Sequence, residues 1–349
     1  MKALSKRTAF IFYGLCGIII SNDTLLEAQL NKTREITEAG LFAALFAVMI
    51  IGSFYIPIIG SLLNLFLPIP MIVLTMKNRP LYVLASGITG MLLSSVVVSL
   101  LSGLTLGGMG LIVGLPMGLV MKRKKPNLST LLVGTVAAAI GFTLTFGVVE
   151  YVSGITLIQT VESSFQTSSE IQAGLNSAFE GLGVDTTEAT AQSEQLVKEM
   201  IDLLRLVMPA LMLMFSMFYA AANLAFSHQV LKRLHIEHVP VKPFDQFRYP
   251  KHLAYGSMGM MVVAFLLGRM GVVDEHLITA NFTYLFTTVF SIQGMALVYY
   301  FLKGRSGKGP AIIVIALLVF VGFMNYLSFL GFFDVIMDIR KLREQKNEH

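Results

Sequence analysis

Between Lys125 and Lys198 the chain has no Lys or Arg, whereas on either side of that gap basic clusters recur between long apolar blocks. Lys and Arg near the ends of transmembrane segments are held on the cytoplasmic side. The pattern therefore orders the chain across a membrane and marks 150–200 as the one large segment expected to face outward. Only 13% of the 349 residues are charged and 55% are hydrophobic, against about 25% charged in a soluble domain. That balance, laid out in blocks, excludes a soluble globular class and predicts an all-α polytopic transmembrane helical bundle of 8–9 spans with an extracytoplasmic helical segment.

A crossing helix needs about 20 apolar residues. The candidate spans are 36–58, 60–76, 81–102, 104–121, 128–149, 203–226, 253–273, 280–302 and 311–333. The second is short and holds Pro68 and Pro70, so it reads as broken or re-entrant; backbone of that kind at membrane depth needs protein or water around it. The fourth carries Gly107, Gly108, Gly110, Gly114 and Gly118, a composition that suits close helix packing. With each block crossing once, five basic groups fall on one face, the cytoplasmic one. They are Lys32 and Arg34; Lys77 and Arg79; Lys122, Arg123, Lys124 and Lys125; Lys232, Arg233, Lys242, Arg248 and Lys251; and Lys303, Arg305 and Lys308. The net charge of +5 is thereby explained without nucleic acid.

The tail is the exception. Nine crossings put Arg340, Lys341, Arg343 and Lys346 outside. Either acidic neighbours offset them, or 311–333 is a hairpin turning near Asn325 or Gly331 and the tail lies inside. At the other end, Lys2, Lys6 and Arg7 before apolar Ala9–Ile20 resemble a signal peptide without a good cleavage site. A mis-called start near Leu30 and an uncleaved extra helix are the other readings. The domain plan expected is an N-terminal extension at 1–30, a five-span half at 31–150, an acidic outer segment at 151–202, a C-terminal membrane half at 203–335 and a charged tail at 336–349.

Within the outer segment Ile171, Leu175, Ala178 and Leu182 repeat at helical spacing, and Gly181 and Gly183 can stop that helix. Asp185-Thr-Thr-Glu188 matches a capping box that starts a second helix running into the sixth span, where Pro209 can kink it. The two helices read as an ordered cap, or as a lid or docking face.

Polar side chains inside spans are costly and so mark candidate sites. Asn64, Asn223 and Gln293 are the candidate ligand-binding amides, with Asn325 beside them; interhelical hydrogen bonding is the plainer use of each. Arg205 and Arg269 lie near span ends, where Arg269 can pair with Asp274 or Glu275. His228, His235, His238 and His252 surround the main basic loop at spacings that match no compact zinc site. The single cysteine, Cys16, excludes an intramolecular disulfide and a cysteine metal site. Gly304-Arg-Ser-Gly-Lys-Gly309 departs from phosphate-loop spacing and reads as a turn. No catalytic residue, metal ligand or cofactor motif is found, so a non-enzymatic protein is expected. Ala39, Ala43 and Ala47 form a small-residue ridge on the first span, suited either to packing inside the bundle or to docking on another membrane subunit.

Thr33 through Ala47, Ile56-Pro-Ile-Ile-Gly60, Pro68-Ile-Pro70, and Gln293-Gly294 through Gly331-Phe-Phe-Asp334 to Arg340 resemble the YybS-like family of predicted bacterial membrane proteins, over about 31–342. That family carries no assigned activity. The opening half also resembles the substrate-binding (S) components of energy-coupling-factor vitamin transporters, whose first helix carries a comparable alanine ridge. Their docking on a coupling subunit implies the same role for Ala39, Ala43 and Ala47, although S components have fewer spans. The expected function is a small-molecule binding or transport component of the plasma membrane. Its partners would be the lipid bilayer and either ATPase and coupling subunits or an envelope protein. The alternative is a structural or regulatory envelope protein whose outer helices bind a partner.

Overall fold

A computed structural model describes residues 32–165, 187–241 and 243–340. The N-terminal extension, Cys16, the helix expected through Ile171–Leu182 with its stop, the cap at Asp185, and Lys242, Lys341, Arg343 and Lys346 lie outside those residues. The described residues are helical with no strand. The helices are α1 (Lys32–Tyr55), α2 (Ile59–Leu65), α3 (Pro68–Lys77), α4 (Pro80–Val97), α5 (Leu100–Lys122), α6 (Asn127–Ser153), α7 (described over 157–165), α8 (Thr187–Arg233), α9 (Lys251–Arg269), α10 (Glu275–Ser306), α11 (Lys308–Phe320) and α12 (Met324–Met337). Among the described residues, seven helices or continuous stretches are long and apolar enough to cross a membrane, and the bent pair α11–α12 makes up to eight. The helix α9 is 19 residues long; Lys251, His252 and Arg269 at its ends make it less apolar than those seven.

Two compact units divide the chain, Met1–Gly141 with Tyr219–Val239, and Phe142–Phe218 with Pro240–His349. The first is built on the glycine face of α5. A Cβ added at Gly110 would meet the Phe46 ring and Leu67, at Gly114 Met71 and the Pro68 carbonyl, and at Gly118 Thr75 and the Ile72 carbonyl. Those contacts let α5 seat directly on α1 and α3, and Phe46, Ile50, Leu67, Met71, Leu74, Val83 and Met91 form the core between them. Gly103 belongs to the same face, where a Cβ would meet Ser95, whereas Gly108 faces open space.

The second span is broken, as its prolines require. Proline has no N–H, so Pro68 and Pro70 leave the carbonyls of Asn64 and Phe66 without their helical donors. The chain tightens there: the Phe66 N–H donates to Leu63 O at 3.1 Å, Leu67 N–H to Asn64 O at 3.4 Å and Ile69 N–H to Phe66 O at 3.1 Å. Because Ile69 is diverted to Phe66, the Leu65 carbonyl is freed.

The second unit settles the shape of the last block. The helices α11 and α12 are bent by 119°. The turn falls at Val321–Phe323, on Gly322 with φ +89°, not at Asn325 or Gly331. Those two residues lie inside α12, where Gly331 serves close contact: a Cβ on it would land on the Phe290 carbonyl of α10. With 13 and 14 residues, the two helices extend about 20 and 21 Å, short of the roughly 30 Å hydrocarbon core. Neither crosses alone. The helix α12 runs beside α10 in the same direction, Thr287 meeting Asn325 and Gln293 meeting Asp334. The pair thus leaves the end of α10 at Gly307 and returns toward the same end as a hairpin.

Candidate functional site

In the first unit the freed carbonyls of the broken span are met by α8. Tyr219 donates its hydroxyl to Asn64 O at 3.4 Å, and Asn223 donates Nδ2 to Leu65 O and to Tyr219 O, both at 2.9 Å. The structure therefore brings Asn64 and Asn223 to one place, with the Asn64 contribution coming from its backbone. Ten residues of α3 (Pro68–Lys77) separate the break from the basic end at Lys77, about 15 Å at helical rise, which is half the hydrocarbon thickness.

Around this junction Thr130 Oγ1, Asn223 Oδ1, Ser227 Oγ and His228 Nδ1 are buried without a hydrogen-bond partner among the described residues. The other His228 ring nitrogen lies 3.1 Å from Asn127 Oδ1, and the His228 and His238 rings are 5.0 Å apart. Thr130 and Ser227 escaped the reading of the sequence because a hydroxyl within a helix ordinarily bonds its own i−4 carbonyl. The alanine ridge is covered inside the chain: Ala39, Ala43 and Ala47 are 8%, 2% and 5% exposed. Ser86 of α4 donates to the Ala39 carbonyl at 2.8 Å, and a Cβ on Gly90 would meet the Ala43 carbonyl at 2.9 Å.

Gln293 lies in the second unit. Its Oε1 accepts from the Tyr249 N–H at 3.1 Å, and its Nε2 donates to Asp334 Oδ2 at 2.6 Å. Arg340, fully buried, donates to the same oxygen at 2.6 Å and to the carbonyls of Asp245 and Phe247 at 2.6 and 2.9 Å. A backbone polar group buried away from water needs a partner; Gln293 supplies one to the Tyr249 N–H, and Arg340 supplies one to each of the Asp245 and Phe247 carbonyls. Asp334 Oδ1 and Arg340 Nε have no partner among the described residues. Arg248 reaches Asp338 at 2.6 Å and Lys303 reaches Asp245 at 2.8 Å, so the tail, the end of α10 and the loop gather at one end of this unit. Asn325 accepts from Thr287 at 3.4 Å. Arg205 pairs with Glu162 of α7, and Arg269 stacks over the Phe265 ring at 5.4 Å.

The Lys303 ammonium, through its hydrogen bond, holds the Asp245 carboxyl below the usual carboxylate range. A depressed folded-state value means that this contribution is complete above the unfolded value and is lost as pH falls through the folded one. Thermal stability in detergent should therefore not change through this pair from pH 8 down to about 5 and should weaken below about pH 4. Lys303→Gln should lessen that acid-side fall, checked by melting curves of both proteins across the range.

Residues 44–335 match the family described as "Predicted membrane protein (DUF2232)". The chain belongs to this family. It is also 22% identical over 319 residues to the uncharacterized protein YybS of Bacillus subtilis (strain 168), a match that covers 89% of this chain and 99% of that protein. The likeness to the YybS-like family thus holds over nearly the whole length, and neither match extends to energy-coupling-factor S components. No solved structure matches the chain. Family and relative carry no assigned activity, so what they establish is a membrane protein.

Proposed function

We propose that this is a non-enzymatic, multi-pass plasma-membrane protein that binds a small polar molecule within its first unit, as a transport component does. The observation that carries this is the broken second span. A helix interrupted at mid-depth, with its freed carbonyls against polar side chains of a neighbouring helix, is the arrangement transporters use to bind solutes. Asn223 stands at that junction, with Asn64 contributing its carbonyl. Under the positive-inside rule the basic ends face the cytoplasm and 150–202 faces outward. ATPase and coupling subunits remain the candidate partners. Because Ala39, Ala43 and Ala47 are buried within the chain, such subunits would dock on another face.

Purification in mild detergent followed by mass spectrometry of the released small molecules tests the reading. A specific compound should be retained at near-stoichiometric amount by the wild type. Loss of one hydrogen bond to the solute in Asn223→Ala should weaken retention about tenfold. Wild type that releases nothing above a control membrane protein sinks it.

One observation favours the second reading, an envelope protein that engages a partner. At 47 residues, α8 runs about 70 Å, far more than the roughly 30 Å core requires. Crosslinking to an envelope protein that depends on 187–202, with no retained ligand, would select it.

A further inference from the structure

Closing the break in the second span uses the amide nitrogen of Asn223 and leaves its oxygen over. Thr130, Asn223 and Ser227 are each fully buried, and Asn223 Oδ1, Thr130 Oγ1 and Ser227 Oγ have no hydrogen-bond partner among the described residues. The helices α6 and α8 run antiparallel at this seam. His228 meets Asn127 at one end, and a Cβ on Gly134 would lie 3.0 Å from that of Ala220 at the other. Ala220, Asn223 and Ser227 recur at i, i+3 and i+7 on α8, as Asn127, Thr130 and Gly134 do on α6, so each set shares a face. At helical rise Thr130 stands about 4.5 Å along from Asn127, while Ser227 and Asn223 stand about 1.5 and 7.5 Å along from His228. The Thr130 level therefore falls between the other two, so the three residues share one stretch of the seam. The Leu65 carbonyl, 2.9 Å from Asn223 Nδ2, lies beside the Asn223 amide.

The chemistry of this set is narrow. All three oxygens can accept, and the amide nitrogen that could have held an anion is already given to two carbonyls. No charge is present, and no group of three or more His, Cys, Asp or Glu that could hold a metal occurs among the described residues. Divalent calcium and magnesium sites are built with carboxylates, and transition metals take imidazole or thiolate. Neutral hard oxygens beside a broken helix suit a monovalent cation. We propose that Thr130, Asn223 and Ser227 form a monovalent-cation site, of sodium type, at the α6–α8 seam. This deepens the binding role proposed above and rests on it, since the cation would sit beside the solute junction.

The test uses the full chain in detergent, in sodium, potassium or choline chloride at equal ionic strength, with binding of radioactive sodium measured alongside. Sodium should raise the melting temperature in a saturable way over choline, since a ligand that binds only the folded state stabilises it by mass action. Thr130→Val and Ser227→Ala leave the Asn223 cap on Leu65 intact. Each should match wild type in choline and lose the sodium-dependent rise. Should both variants misfold, sodium binding to wild type, displaced by unlabelled sodium and not by choline, still decides. Equal melting temperatures in all three salts with no bound sodium would mean that water alone serves these oxygens, and the site would be overturned. The retained-solute measurement is run in choline. A missing solute with sodium bound therefore sinks the solute reading and not the cation site, and the reverse result sinks the cation site alone.

Discussion

Replacing Arg340 with leucine is expected to destabilise the protein by about 3–5 kcal/mol, because it strands a buried carboxylate. Asp334 is 3% exposed and Arg340 is fully buried. Removing the guanidinium also takes donors from the Asp245 and Phe247 carbonyls. The carbonyls of Asp245 and Phe247 would then lose the donors that pin the segment 245–249 to the end of the chain. The loss should appear as a lower melting temperature in detergent and faster proteolysis of the loop. Asp334→Leu combined with Arg340→Leu should recover part of it, since replacing both members of a buried pair costs less than orphaning one. A single variant as stable as wild type would mean that Arg340 does not hold Asp334 and the loop together.

Gly331→Ala should cost about 3 kcal/mol, the upper end of what one extra carbon costs in a packed core. Its Cβ would land on the Phe290 carbonyl, and one on Gly294 would land on the Leu327 carbonyl. Backbone cannot swing aside as a flexible side chain can, so α10 and α12 must part. Parting them also opens the Phe286, Phe290 and Phe332 cluster and the Gln293–Asp334 bond. Gly259→Ala is the control: its Cβ meets nothing within 4 Å, and its φ is not positive, so it should be neutral or slightly stabilising. Equal melting temperatures for Gly331→Ala and Gly259→Ala would contradict the close packing of α10 on α12.

Much of this is legible in the sequence, and the remainder has identifiable causes. The apolar blocks mark the spans because lipid leaves a helix few alternatives. Pro68 and Pro70 announce the break, since a missing N–H is a local fact. Asn223 stands out as an amide in an apolar run, but its partner Leu65 is 158 residues away, and no local pattern encodes that. Arg340 reads in sequence as one charge in a solvated tail that defies the positive-inside rule. Its burial becomes visible only when the hairpin returns it to the loop, and the hairpin in turn depends on Gly322, which sits between two helices each too short to cross. The small residues of α1 show that a close contact exists without showing with what: Ala39 and Ala43 meet α4 of the same chain.

The sidedness of the two ends of the last hairpin is the most direct measurement. In a Cys16→Ser background, a fluorescent protein fused after His349 reports the tail. Single cysteines at Glu237 and Tyr151 are probed with an impermeant maleimide in intact cells. The expected result is a fluorescent fusion, Glu237→Cys protected and Tyr151→Cys labelled, with the tail on the face of the basic loop. A dark fusion whose tail is cleaved by external protease, with Glu237→Cys still protected, would mean that 311–333 crosses the membrane and that Arg340 cannot reach Asp245.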